Sequence, residues 1–215
     1  MKTFKNFLTE ALLTFNNRAR YGQVVFLAGG SGSGKDFSIN KFIDGGFKIF
    51  DADQMKSDFI RLNDITKKHP DFLNFDWKDS ERLSDLHHKL APQFDKQAQS
   101  FINGATNPNT LPNIIFNVTL KNQGKLDLFL PVLLKQGYKP ENIHIVWVLA
   151  NYDVAIANNK KRKRTVSDEI AYETHSGALT QMLKLVFVNL PKAVNGKVAV
   201  ILSDPKQTSW YKDRD

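Results

Sequence analysis

The chain has 215 residues, 41% hydrophobic and 24% charged, with no cysteine and a formal net charge of +8. That length suits one generous domain or two small ones, and the composition is that of an ordinary soluble globular protein, which excludes a disordered chain, a collagen-like fibre and a disulfide scaffold. Thiolate zinc sites and thiol nucleophiles are excluded too, and no run nears the roughly 18 apolar residues of a membrane helix, so no membrane partner is expected.

From Met1 to about Arg20, residues Phe4, Phe7, Leu8, Ala11, Leu12 and Phe15 recur at helical spacing and predict an amphipathic arm. Val24 to Ala28 is a short continuous apolar run, as in a strand buried on both faces. A glycine-rich loop, Gly29 to Gly34, leads into a helix from Lys35 to about Asp44, with Phe37, Phe42 and Ile43 available for its packed face. Gly45-Gly46 then punctuates the chain before a second strand, Phe47 to Phe50, that ends at Asp51. Met55, Phe59 and Leu62 mark one helix, and Leu83, Leu86, Leu90, Phe94 and Phe101 a longer one. Between them lies a polar and aromatic connector around residues 70–79. After a turn-rich loop over 103–113 come a strand at Ile114 to Val118, a helix from Leu126 to Gln136 closed by Gly137, and a strand from Ile143 to Leu149 with Trp147 in the core. Helices are predicted from Tyr152 to Arg164 and from Ser167 to about Asn189, then a fifth strand from Lys197 to Leu202 and a polar tail. Strands alternating with helices predict an α/β fold with a mainly parallel five-stranded sheet covered on both faces.

Gly29-Gly30-Ser31-Gly32-Ser33-Gly34-Lys35 satisfies G-x-x-x-x-G-K between a buried strand and a helix, the context a phosphate-binding loop requires. Glycines let successive N–H groups point at phosphate oxygens, the helix N-terminus adds partial positive charge, and Lys35 adds a full one. Gly29, Gly30, Ser31, Gly32, Ser33, Gly34, Lys35 and Asp36 are therefore the candidate nucleotide-binding residues. Asp36 stands where Ser or Thr usually holds Mg²⁺. Its carboxylate is a hard oxygen ligand and a candidate for the metal, yet it also opposes Lys35 near a polyphosphate. Nucleotide binding is thus better supported than rapid catalysis.

Asp51-Ala52-Asp53 falls at a strand's carboxyl end, where ligands sit in doubly wound sheets. Asp53 there suits a general base for an attacking hydroxyl, with Lys56 one turn on to hold the acceptor; the other reading is a helix cap. Five of the basic residues form one block, Lys160 to Arg164. Three readings stand: an arginine-bearing lid over a transferring phosphoryl group, a solvated helix face, or a nucleic-acid contact. On a regular helix Arg162 and Arg164 would point about 200° apart, so both reach one phosphate only if the chain is irregular there. His69, His87, His88, His144 and His175 show no metal-binding spacing and read as surface or packing residues.

The glycine loop, the D-x-D-x-x-K stretch from Asp51 to Lys56, the strand end Asn117-Val118-Thr119-Leu120-Lys121 and the Arg-x-Arg of Arg162 and Arg164 together resemble the zeta-toxin and polynucleotide-kinase branch of P-loop kinases, over about Gln23 to Leu202. The resemblance implies a three-layer P-loop NTPase-type sandwich spanning residues 21–215, with a lid near 152–168. It also implies an ATP-dependent kinase using Mg²⁺ and acting on a hydroxyl of a nucleotide, a nucleotide-sugar or a polynucleotide 5′ end. Carried over, Lys35, Asp53, Arg162 and Arg164 are the catalytic set, and Asp51, Lys56, Thr119 and Lys121 lie on the substrate side. Residues 64–113 should supply much of the acceptor pocket. The alternative is a weakly active or inactive nucleotide- or nucleic-acid-binding relative, with nucleic acid contacted through 160–164. Finally, Met1 to Ala11 resembles the capsid-targeting leader of internal head proteins of T-even-like phages, whose protease cuts after a Leu/Ile-x-Glu triplet such as Leu8-Thr9-Glu10. That likeness implies a phage product packaged in the virion head and acting in the host cytoplasm.

Overall fold

The computed structural model describes residues 15, 20–43, 45–162, 164–203 and 209–213. The predicted N-terminal arm and leader lie outside the described residues, except Phe15 and Arg20. Five parallel strands, β1 (Val24–Ala28), β2 (Phe47–Asp51), β3 (Asn113–Asn117), β4 (Ile143–Ala150) and β5 (Val198–Ser203), form one sheet with a sixth, β6 (Ser209–Asp213), in the order β2-β3-β1-β4-β5-β6. β6 runs antiparallel to β5, with Leu202 opposite Ser209 and Val198 opposite Asp213. It replaces the expected polar tail. An antiparallel edge strand does not need the continuous apolar run that marks a strand buried on both faces.

Helices α1 (Lys35–Phe42), α2 (Ala52–Thr66), α3 (Ser80–Asn103), α4 (Gly124–Lys135), α5 (Tyr152–Lys161) and α6 (Asp168–Phe187) complete the fold. β1 alternates its side chains between two cores. Val24, Phe26 and Ala28 join the larger one, where Phe26, Phe116 and Phe129 stack at 4.9 and 4.5 Å, and Trp147 packs there as expected. Val25 and Leu27 join the other, with Ile39 and Phe42 of α1 and the buried Phe15. A third cluster of Ile60, Phe72, Leu86 and Leu90 ties α2 to α3. Phe37 does not share the packed face of α1: five residues from Phe42, it points well to one side, is half exposed and lines a cleft.

Asp51, Asp79, Asn151 and Ser167 cap α2, α3, α5 and α6, each side chain accepting from backbone N–H groups of the first turn. α5 stops at Lys161, three residues short of the predicted end. Arg162 turns to extended backbone at φ −78°, ψ 151°, and the buried Asn159 amide both donates to Val166 O (2.8 Å) and accepts from Val166 N–H (3.2 Å). The connections leaving the neighbours β1 and β3 run towards opposite edges of the sheet, which opens a crevice at their carboxyl ends. Among the described residues no helix is long and apolar enough to cross a membrane.

Candidate active site

The crevice is a cleft of about 790 Å³. Its floor is the glycine loop, which needs the left-handed backbone of Gly32 (φ 75°) and Gly34 (φ 92°) to curl into α1. A Cβ on Gly32 would sit 2.2 Å from Ala155 O, so α5 closes directly over the loop. Lys35 Nζ donates to the carbonyls of Gly29 (2.8 Å) and Gly30 (3.1 Å), straddling the curl from within. Burial lowers the Lys35 pKa below its ordinary value, opposed by the carboxylates of Asp53 and Asp36. The Ser33 hydroxyl is buried with no hydrogen-bond partner among the described residues.

Two adjacent carboxylates divide the work at the end of β2. Asp51 takes the cap of α2, its Oδ1 accepting from Asp53 N–H at 2.7 Å. Asp53 is thereby left to face the cleft. Lys56 Nζ lies 3.1 Å from its Oδ1 and Arg164 Nη2 lies 2.5 Å from its Oδ2, while Arg164 also donates to Asp53 O. Burial pushes the Asp53 pKa up, but Lys56, Arg164 and the more distant Lys35 outweigh it and hold the carboxyl below the usual range. Asp51 moves the other way, raised by burial and by the charge of Asp53.

Asn117, at the end of β3, donates one amide nitrogen to both Asp36 Oδ1 (2.9 Å) and Asp51 Oδ2 (2.8 Å). That bridge ties the first turn of α1 to the end of β2. Asp36 is exposed on the first turn of α1, and Arg162 Nη2 lies 3.5 Å from its second oxygen. Because α5 ends before them, both arginines turn into the cleft, Arg162 towards Asp36 and Arg164 towards Asp53. The basic block is therefore no continuous solvated face. Lys160 instead lies 4.0 Å from Asp168.

Thr119 and Lys121 also line the cleft. Thr119 O accepts from Gly29 N–H (3.2 Å), and Lys121 Nζ pairs with Glu173 of α6 at 2.8 Å. The opposite wall is α3, through Ser80, Leu83, Ser84, His87, His88, Ala91 and Phe94, so the lining drawn from 64–113 all comes from one helix. The His87 pKa is pulled down to about 4 by burial, with the Lys56 charge adding to it. Three features had no separate signal in the sequence: the Asn117 bridge, the Asn159 clamp, and contacts of Thr174 and His175 with the glycine loop. Each is made across more than 60 residues or turns on an amide whose role only geometry reveals; Asn117 could have been suspected as a polar residue closing an apolar strand. Among the described residues no group of three or more His, Asp or Glu converges as a metal cage.

Residues 9–212 match the zeta toxin family. Among solved structures, that of AvrRxo1-ORF1:AvrRxo1-ORF2 with ATP is similar at a TM-score of 0.62 and 11% identity, covering 89% of this chain and 57% of that one. The same complex in its native form gives 0.63 at 12% identity over the same shares. This chain thus spans less than two thirds of those chains' length. The PezAT toxin–antitoxin system of Streptococcus pneumoniae gives a TM-score of 0.53 at 15% identity, covering 97% of this chain and 77% of that one. At such identities the likeness speaks for the fold. No curated protein sequence matches.

Proposed function

The chain belongs to the zeta toxin family, and from that premise we propose that it is an ATP-dependent kinase moving the γ-phosphoryl group to a hydroxyl of a nucleotide, a nucleotide-sugar or a polynucleotide 5′ end. One observation carries the reading: Asp53, released from capping by Asp51, faces the same cleft as Lys35 and the glycine loop. The polyphosphate of ATP lies along the loop amides at the N-terminus of α1, and Lys35 exchanges two carbonyls for phosphate oxygens. The acceptor enters along α3. Its hydroxyl oxygen attacks the γ-phosphorus, its proton passes to Asp53, and the bond to the ADP oxygen breaks. A depressed pKa keeps Asp53 ionised at neutral pH, which suffices because this reaction depends mainly on positioning and charge. Arg162 and Arg164 neutralise charge on the transferring group, and Lys56, Thr119 and Lys121 hold the acceptor, with Asp51 fixing the Asp53 backbone.

Mg²⁺ fits the donor chemistry here, since Asp36 offers a hard carboxylate on the turn that follows the loop lysine, and magnesium is commonly held by one or two carboxylates plus phosphates. Bound there it supplies charge neutralisation to the polyphosphate. A non-catalytic nucleotide binder is the second reading, favoured by Arg162 lying against Asp36.

An acceptor screen with γ-labelled ATP separates the two. The kinase reading expects label on one acceptor class, abolished in Lys35→Ala and reduced about 10²–10⁴-fold in Asp53→Asn. ATP binding with no labelled acceptor across several divalent metals overturns it and leaves the binder. A phage product packaged in the virion head with residues 1–10 removed expects a virion peptide beginning at Ala11; virion proteomics that finds no such peptide overturns that part alone.

A further inference from the structure

The N-terminal half of α6 reaches back over the glycine loop, 143 residues away in sequence. Ser31 N–H donates to Thr174 Oγ1 at 3.2 Å, and the Thr174 hydroxyl donates in turn to Ala171 O at 2.9 Å. On the other side of the same residue, His175 Nε2 lies 2.6 Å from Ser31 O. A carbonyl only accepts, so Nε2 carries the proton and Ser31 is gripped through both its backbone groups. The imidazole lies where a side chain on Gly30 would be: a Cβ there would sit 2.4–2.7 Å from three of its ring atoms. Tyr152, at the start of α5, meets the ring edge-on with centroids 5.9 Å apart, which limits its rotation. Two residues on, Gly177 packs α6 against the backbone of Lys121, so the helix is braced on the β3 loop while it holds the β1 loop.

We infer that Thr174 and His175 are positioning residues for the nucleotide site, a clamp that holds the Ser31 peptide so that the amides after it face the polyphosphate. Gly30 is glycine because the clamp occupies its side-chain space. The inference rests on the proposed reading of the loop as an ATP site, and it adds residues outside the loop motif that preset its shape. Presetting a loop strengthens binding because less ordering remains to be done when the ligand arrives. His175 donates to Ser31 O in either protonation state, so the clamp is not a pH switch.

Calorimetric titration of the full chain with ATP tests it, beside thermal melting to verify folding. His175→Ala is expected to bind ATP about tenfold more weakly, the loss of one well-placed hydrogen bond. His175→Gln, which restores a donor at similar reach, should return within about threefold of the wild type, and Thr174→Val should lose less than His175→Ala. In turnover, KM for ATP should rise while kcat holds, a split that a general loss of fold would not give. Gly30→Ala should bind more weakly than His175→Ala, yet Gly30→Ala with His175→Ala should be no weaker than His175→Ala alone, because removing the ring frees the space. Equal ATP affinity in wild type and His175→Ala overturns the clamp and leaves the kinase reading standing, whereas a wild type that binds no ATP overturns both. Should the glycine variants not fold, the ¹⁵N spectrum of the wild-type His175 ring decides: a proton on Nδ1 rather than Nε2 overturns the clamp.

Discussion

Asp51 and Asp53 are two residues apart and of one type, yet their surroundings drive their pKa values in opposite directions. The outer carboxylate, Asp53, is held low by Lys56 and Arg164 against the effect of burial. Arg164→Ala removes one of those cations, so the Asp53 pKa should rise and the acid limb of the kcat/KM profile should move to higher pH; an unshifted limb would remove Asp53 from the role of base. His144 is the opposite case, a buried residue remote from chemistry. Its Nδ1 accepts from Lys197 N–H at 2.7 Å and its Nε2 lies 2.7 Å from Gln23 Oε1, an arrangement that requires a neutral ring. Burial pulls its pKa from 6.5 to about 3. The unfolded chain therefore binds the proton first, and stability contributed by the neutral ring is lost as pH falls from about 6.5 towards 3, by up to about 1.4 kcal/mol per pH unit. The difference in unfolding free energy between wild type and His144→Leu, followed by urea titration, should shrink over that window. A pH-independent difference would show that His144 does not titrate there.

Two helices end by the same device. Near the end of α2 the Asn63 amide exchanges two hydrogen bonds with the backbone of His69, at 2.8 and 2.9 Å, and near the end of α5 Asn159 does the same with Val166. Each buried amide pairs the chain beyond the helix as a strand would, and so decides where the chain turns. At α5 that turn carries Arg162 and Arg164. Asn159→Ala should cost about 1–3 kcal/mol of stability and release both arginines, lowering phosphoryl transfer more than ATP affinity. Thermal melting and steady-state kinetics check this, and intact kcat would mean that the turn forms without the clamp. The same residue explains why the end of α5 was not legible in the sequence. Helical composition continues smoothly through Lys163-Arg164, and the break comes from a side chain that finds its partner seven residues ahead. The glycine loop, by contrast, was legible because glycine spacing, the preceding apolar run and the following lysine are all local.

At the scale of the molecule, the parallel strands could be read because their apolar runs record burial on both faces, and a crevice at their carboxyl ends followed from strand–helix alternation alone. What brings the α6 clamp over the loop is the packing of whole helices, for which no local pattern exists. β6 was hidden for a related reason: an edge strand is defined by its partner, not by its own run of residues. Its pairing with β5 along Val198 to Leu202 also covers what would otherwise be the open edge of the sheet. Ala199 and Ile201 of β5 are fully buried, so that edge is an apolar strand with free N–H and C=O groups once β6 is removed. A chain ending at Ser203 should lose about 2–3 kcal/mol from the missing ladder, lowering the melting temperature by roughly 5–10 °C. It should also self-associate through the bared edge, in proportion to concentration. Size-exclusion chromatography beside a melting curve reads both effects, and a truncated chain that elutes in the same oligomeric state as the full chain with an unchanged melting temperature would show that β5 closes the sheet unaided.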